Sequence, residues 1–172
     1  EYDEYNLVNT GRQWFGESFA FDYTQDFNTP MESWSSDSIL FTANVAARSS
    51  ISSNFQINNG STNITTIPIS SVSSSSNLYY NSNLVETFFN PNQSSSDISF
   101  QYNNNGNTSA LAWLDYFTLQ GRSNDFGVSP TSHYLFRDTE SVLEGVMTSF
   151  KFPLVNNNYG FNVFDITDPL NV

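Results

Sequence analysis

The 172 residues include 16 Phe, 9 Tyr and 3 Trp but only 13% charged side chains, and five Lys plus Arg against seventeen Asp plus Glu set the formal net charge at −12. A chain of this length buries about 70% of its unfolded surface as one unit, so the expectation is a single domain over residues 1–172. The negative charge repels phosphate backbones and anionic headgroups, which argues against nucleic-acid partners and direct membrane insertion. The absence of cysteine removes disulfides, thiolate metal ligands and a cysteine nucleophile.

Aromatic and β-branched residues suit a pleated, half-buried surface, while Asn, Ser and Gly serve turns. A helical bundle would draw on Ala, Glu, Lys and Leu instead. In chain order, period-two alternation appears first at Phe19, Phe21 and Tyr23, then at Ile39, Phe41, Ala43, Val45 and Ala47. Asn58-Asn59-Gly60 reads as a turn. Residues 64–69, with Ile64, Ile67 and Ile69, read as a strand that Pro68 confines to a sheet edge or a strand end.

Residues 84–89 and 110–119 are denser in apolar side chains and are expected to be central strands covered on both faces. Between them lie the alternating Ile98, Phe100 and Tyr102 and the run Asn103-Asn104-Asn105-Gly106-Asn107, which is turn chemistry. Residues 73–77 and 93–96 read as further loops. Towards the end, residues 134–136, 148–152 and 161–166 add strands, and residues 138–145 hint at a helical turn ended by Gly145. About nine or ten strands without a helix of any length predict an all-β, antiparallel two-sheet sandwich of jelly-roll type.

Catalytic chemistry has little to work with. His133 is the one histidine, and neither Ser132 nor Asp138 stands at a triad-like spacing from it, so it reads as a surface or capping residue. Asp3, Glu4, Asp22 and Asp26, and separately Asp165 and Asp168, are candidate oxygen ligands for calcium, though a solvated acidic surface is favoured and no cofactor is called for. Two-carboxylate glycosidase chemistry needs a pair that folding could bring to the required separation, and the sequence selects none. Trp14, Phe15, Trp34, Tyr79, Tyr80, Trp113 and Tyr116 are candidates for a sugar-stacking platform, with Trp113 favouring the core because its strand is the most apolar. The triplets at Asn59, Asn63, Asn92 and Asn107 match N-glycosylation acceptors and mark exposed turns. Gly11, Gly16 and Gly121 form no phosphate-binding pattern.

Three stretches carry a resemblance. They are Tyr5-Asn6-Leu7-Val8-Asn9-Thr10-Gly11-Arg12-Gln13-Trp14-Phe15-Gly16-Glu17, Ala110-Leu111-Ala112-Trp113-Leu114-Asp115-Tyr116-Phe117-Thr118-Leu119 and Phe164-Asp165-Ile166-Thr167-Asp168-Pro169-Leu170-Asn171-Val172. In this order, over nearly the whole chain, they resemble the region ahead of the catalytic domain in PorU-type sortases of the Bacteroidetes type IX secretion system, a gingipain-related family of cysteine peptidases (C25). The resemblance implies a cell-surface parent, associated with the outer membrane, that cleaves sorting signals from secreted proteins and joins the cargo to lipopolysaccharide. Its catalytic histidine and cysteine would lie in a separate α/β domain after the Asp-Pro-Leu-Asn segment, so no catalytic residue transfers here and His133 is not the family's histidine.

The chain begins without Met and stops just after that segment, as a piece of a longer polypeptide would. On this reading it is a non-enzymatic accessory domain whose partner is the catalytic domain of the same polypeptide, and Trp14, Glu17, Trp34 and Asp165 are the candidate interdomain or ligand contacts. The alternative function is a carbohydrate-binding module of a secreted protein, with a surface glycan as partner.

Overall fold

The structure, a computed structural model, describes residues 4–8, 13–29, 35, 37–73, 75, 77–92, 97–122, 145 and 147. The chain divides into two compact units, Glu1–Asp125 and Phe126–Val172. All eight described strands belong to the first: β1 (Glu17–Ser18), β2 (Thr24–Asn28), β3 (Ile39–Arg48), β4 (Ser53–Asn59), β5 (Thr62–Ile69), β6 (Asn81–Phe89), β7 (Asp97–Asn103) and β8 (Leu111–Gln120). The second unit, with the strands expected at 134–136, 148–152 and 161–166, the helical turn at 138–145, His133 and Asp165, falls outside the described residues except for Gly145 and Met147.

The strands form two four-stranded antiparallel sheets, ordered β1-β8-β3-β6 and β2-β7-β4-β5. Hydrogen bonding joins β1 to β8, β2 to β7, β3 to β6 and β4 to β5, which is what results when one long hairpin is wrapped over itself. Eight strands in this order make the jelly roll expected from the sequence.

The core lies between the sheets. The inward side chains of β3 (Ile39, Phe41, Ala43, Val45 and Ala47) meet Phe55 and Ile57 of β4, Ile67 and Ile69 of β5, and Ile98, Phe100 and Tyr102 of β7. Phe27, Phe41, Phe100 and Phe117 form one aromatic group, with centroids 5.3 to 6.4 Å apart. Phe19, Phe55 and Tyr102 form another, at 5.0 and 5.1 Å. Pairs at these separations contribute about 0.5–1.5 kcal/mol each beyond burial. β4, which no pattern had flagged, is a plain alternation in which Ser53, Phe55, Ile57 and Asn59 are buried. Its two apolar residues sit among Ser, Asn and Gln, and that masked the signal.

Two bulges resolve two breaks of parity. In β8 the partner of Asn44 is Tyr116 and that of Val45 is Leu114, so Asp115 is the extra residue. Ala112 and Leu114 on one side of it, and Phe117 and Leu119 on the other, thereby reach the same core. In β5 the extra residue is Ile64, between Asn63 opposite Asn58 and Thr65 opposite Ile57, and it too packs against the core.

Three expectations are corrected. Phe19, Phe21 and Tyr23 do not form one strand, because the chain leaves the first sheet after Ser18 and bends at Ala20 and Phe21 to enter the second. Phe19 is buried and Phe21 is fully exposed. β6 is an edge strand rather than a central one, since only one of its faces is covered: Val85 and Phe89 face the core, while Leu84 and Phe88 point outward into solvent. β8 is covered on both faces only over Ala112, Trp113 and Leu114.

The Pro68 reading holds, as β5 closes its sheet. The edges of β5 and β6 face each other and are stitched by side chains. Asn83 Nδ2 donates to Pro68 O at 3.0 Å, and Asn81 Nδ2 donates to Ser70 O and Ser71 O at 3.0 Å each. Carbonyls that would otherwise invite another strand are thus occupied.

Gly60, at φ 56, is the first of the two residues linking β4 to β5, where a tight hairpin demands positive φ. Asn59 beside it is buried, contrary to the exposed turn expected. Its Nδ2 donates to Asp97 O at 3.0 Å and its Oδ1 accepts from Asn92 N at 2.6 Å, so both ends of the amide tie β4 to the β6–β7 connection.

Candidate functional site

Among the described residues, the outer face of the β1-β8-β3-β6 sheet gathers a cluster of polar and aromatic side chains. The segment preceding β1 crosses this face. Tyr5 and Phe15 exchange backbone hydrogen bonds of 2.9 Å in each direction, and Gly16 N donates to Leu114 O at 3.1 Å. These bonds extend the pairing of β1 with β8 backwards and fix where the segment lies.

Phe15 is fully buried there, against Trp113 and Ala46, with Leu7, Tyr80 and Leu111 packed around them. Its ring stands edge-on to Tyr80 at 5.5 Å and is tilted against Trp113 at 6.5 Å. Ala46 sits beside Trp113 in the register of β3 and β8, and its small side chain leaves room for the two rings. Burying a Phe side chain stabilises by roughly 1.5–3 kcal/mol, so Phe15 is the apolar anchor of the segment.

A chain of hydrogen bonds runs beside it. Tyr80 Oη donates to Gln13 Oε1 at 2.9 Å, Gln13 Nε2 donates to Asp115 Oδ2 at 2.9 Å, and Asn44 Nδ2 donates to the same oxygen at 2.7 Å. An ionised carboxylate only accepts, so both amides must present nitrogen to it, and Gln13 must then present oxygen to Tyr80. The orientation of every group is dictated by its neighbour. Burial raises the Tyr80 pKa and the Asp115 charge raises it further, which keeps the phenol protonated as the donor this chain needs.

The bulge places Asp115. Inserting one residue into β8 lets Asp115 share the outer face with Asn44, while Leu114 and Phe117 keep to the core. Sequence alone marked residues 110–119 as apolar and passed over Asp115, Asn44 and Gln13. The one available signal was a carboxylate at the parity break between Leu114 and Phe117.

Among the residues singled out from sequence, Trp14 is part of this segment and half-exposed, and Glu17 is half-buried in β1, paired in register with Leu114. Trp34 and Asp165 lie outside the described residues. Trp113 is buried, as expected of a core residue, and its contacts are with Phe15 and Ala46. Tyr79 is half-exposed and takes the Arg48 guanidinium over its ring at 4.4 Å.

Glu4, Asp22 and Asp26 are not gathered, and no group of three potential metal ligands occurs among the described residues. Asp22 instead accepts from Thr24 N at 3.2 Å, as a turn residue does. The carboxylate of Asp115 is engaged by two amide donors, an arrangement that positions the segment and offers no proton-transfer partner among the groups bonded to it.

No family model matches the sequence, and no curated protein matches it. Similarity appears among solved structures. The crystal structure of dimeric latent PorU from Porphyromonas gingivalis superposes with a TM-score of 0.60 and 18% identity, over 72% of this chain and 12% of the PorU chain. The fold resembles that of a stretch of PorU. The insecticidal delta-endotoxin Cry8Ea1 from Bacillus thuringiensis gives a TM-score of 0.37 and 13% identity over 62% of this chain and 19% of its own, a likeness too slight to build on. The likeness to PorU is one of fold, and this chain matches only that small share of PorU's length.

Proposed function

We propose that this chain is a non-catalytic accessory domain of a longer cell-surface cysteine peptidase of the PorU type, one that packs against or positions a catalytic domain elsewhere in the same polypeptide. The observation that carries the proposal is the jelly-roll likeness to a PorU segment over 72% of the chain. The three ordered sequence stretches resembling the same family point the same way, while no family model matches the sequence. Having no cysteine, the chain requires that the nucleophile of such an enzyme lie outside these residues.

The latched segment ahead of β1 suits an accessory role. Phe15 and the Tyr80–Gln13–Asp115–Asn44 chain fix residues 13–16 on the sheet, so whatever precedes them leaves from a defined place. Entry geometry is then set by packing rather than by a free linker.

The test compares the polypeptide as encoded with a version lacking this domain, using a thiol-directed active-site probe and a peptide substrate, with the isolated domain added back in trans. The expected result is labelling of a cysteine outside these 172 residues, with activity or folded yield reduced by the deletion. Normal activity and yield after deletion, or no labelled cysteine, would remove the proposal.

A further inference from the structure

An Asn followed by Gly carries a latent electrophile, because a neighbour without a side chain lets its backbone nitrogen reach the Asn carboxamide. The pair occurs twice in this chain, at Asn59-Gly60 and Asn105-Gly106, where β4 turns into β5 and β7 turns towards β8. Turns of positive φ select it, and φ is 56 at Gly60, 52 at Asn105 and 87 at Gly106. The residues that close these turns are therefore also chemically reactive, and their surroundings decide whether they react.

The two amides are held differently. Asn59 is buried, and both ends of its carboxamide are bonded, to Asp97 O at 3.0 Å and from Asn92 N at 2.6 Å. Its backbone is paired with Thr62 on one side and Ile98 on the other. Swinging this carboxamide towards Gly60 N breaks both side-chain bonds away from water. Asn105 is exposed. Its Nδ2 donates to Ser52 O at 2.7 Å, and Gly106 N, the atom that would attack, donates to Asn104 Oδ1 at 2.9 Å. Both bonds belong to a turn open to water, and together they lower the reactive fraction by roughly tenfold. Freeing Asn59 requires an opening of the sandwich present in about one molecule in a thousand or fewer.

We propose that Asn105 is a site of spontaneous covalent modification in the folded protein, passing through a succinimide to aspartate and isoaspartate, while Asn59 is shielded until the fold opens. Gly106 N gives up its proton and attacks Asn105 Cγ. The new N–Cγ bond forms, the Cγ–Nδ2 bond breaks, and Nδ2 departs as ammonia with that proton. Water then opens the ring at either carbonyl and leaves one new carboxylate, with no oxidant or reductant involved. The departing Nδ2 is the donor to Ser52 O, so the tie between the β7–β8 and β3–β4 connections is lost. A negative charge takes its place beside that carbonyl, in a chain already at −12, and the isoaspartyl product also lengthens the backbone of the turn. The inference stands whatever the parent polypeptide is.

The test incubates the polypeptide as encoded at mildly alkaline pH, with and without denaturing urea, and locates the products by peptide mapping and isoaspartyl methyltransferase labelling. In the folded protein, isoaspartate is expected at Asn105 at least about tenfold faster than at Asn59. In urea the two rates should converge, with the larger rise at Asn59. Asn104→Ala, which removes the acceptor that holds Gly106 N, should speed the Asn105 reaction several-fold, and an unchanged slow rate at Asn59 in the same sample certifies that the variant is folded. An Asn59 rate equal to or above that of Asn105 in the folded protein would overturn the proposal. So would the absence of Asn105 product after the urea sample has converted fully, or an Asn105 rate that Asn104→Ala leaves unchanged.

Discussion

Replacing Asp115 probes the latch at its centre. Two donors, Gln13 Nε2 at 2.9 Å and Asn44 Nδ2 at 2.7 Å, converge on one oxygen, Oδ2. Hydrogen bonds to a charged group are worth about 1.5–3 kcal/mol each, and this site is only partly buried. Asp115→Ala should therefore destabilise by about 2 kcal/mol, and the Gln13 and Asn44 amides would lose their shared acceptor. For a domain of this size that corresponds to a fall in Tm of roughly 6–10 °C. Asp115→Asn is the discriminating variant. Because both donors use the same oxygen, a single amide oxygen in its place can accept both, and only the charge assistance is lost, about 1 kcal/mol or less.

Urea denaturation followed by Trp fluorescence gives the stabilities, and hydrogen exchange at the Tyr5 and Phe15 amides reports whether the segment has left the sheet. Faster exchange should appear in Asp115→Ala and stay near wild type in Asp115→Asn. Equal destabilisation by both variants would refute the shared-oxygen account. No change in Asp115→Ala would mean that the hydrogen-bond chain does not hold the segment.

Phe15→Ala, which removes a fully buried ring, should cost about 3–5 kcal/mol and release the segment to limited proteolysis. Alkaline stability should fall as pH rises above 10. Tyr80 is raised by burial and then by Asp115, and Tyr102 by burial, with the neighbouring Ser53 hydroxyl offsetting part of this and Tyr23 adding to it. In that range the unfolded chain releases tyrosine protons that the folded state still holds, so stability is lost as pH passes through the folded-state values. Tyr80→Phe should flatten that loss in a pH series of urea midpoints. Gly121→Ala would put a Cβ 2.7 Å from Ile39 Cγ1, a buried side chain with little room to move, and calorimetry should show a loss of about 1–3 kcal/mol.

The jelly roll was legible because its central strands alternate cleanly. Ile98 to Tyr102 show period two without interruption, and Ile39 to Ala47 break it only at Ala46, buried on the outer face beneath Phe15. The first connection misled because alternation continues through Phe21 although the backbone turns there, and nothing in the composition distinguishes a bend carrying aromatics from a strand. β4 was hidden by its polar residues, and β6 gave a false central-strand signal because Leu84 and Phe88 are apolar without being covered.

The polar cluster was the least readable part. Gln13, Asn44, Tyr80 and Asp115 are distant in sequence and meet only because a bulge turns Asp115 outward and β3 lies beside β8. At the buried end of β4, the neighbouring Ser53 and Tyr102 hydroxyls have no hydrogen-bond partner in good geometry. Such a pair gives no sign in sequence, since it depends on Phe55 standing opposite Tyr102 in the register.

The claim that this is one domain of a longer cysteine peptidase is tested most directly by isolating the natural polypeptide with antibodies to these residues and determining its intact mass and sequence. The account predicts a chain several times larger than the 19.4 kDa of these residues, with an α/β domain that contributes a histidine and a cysteine. A natural product close to 19.4 kDa, or a longer one without that pair, would contradict it.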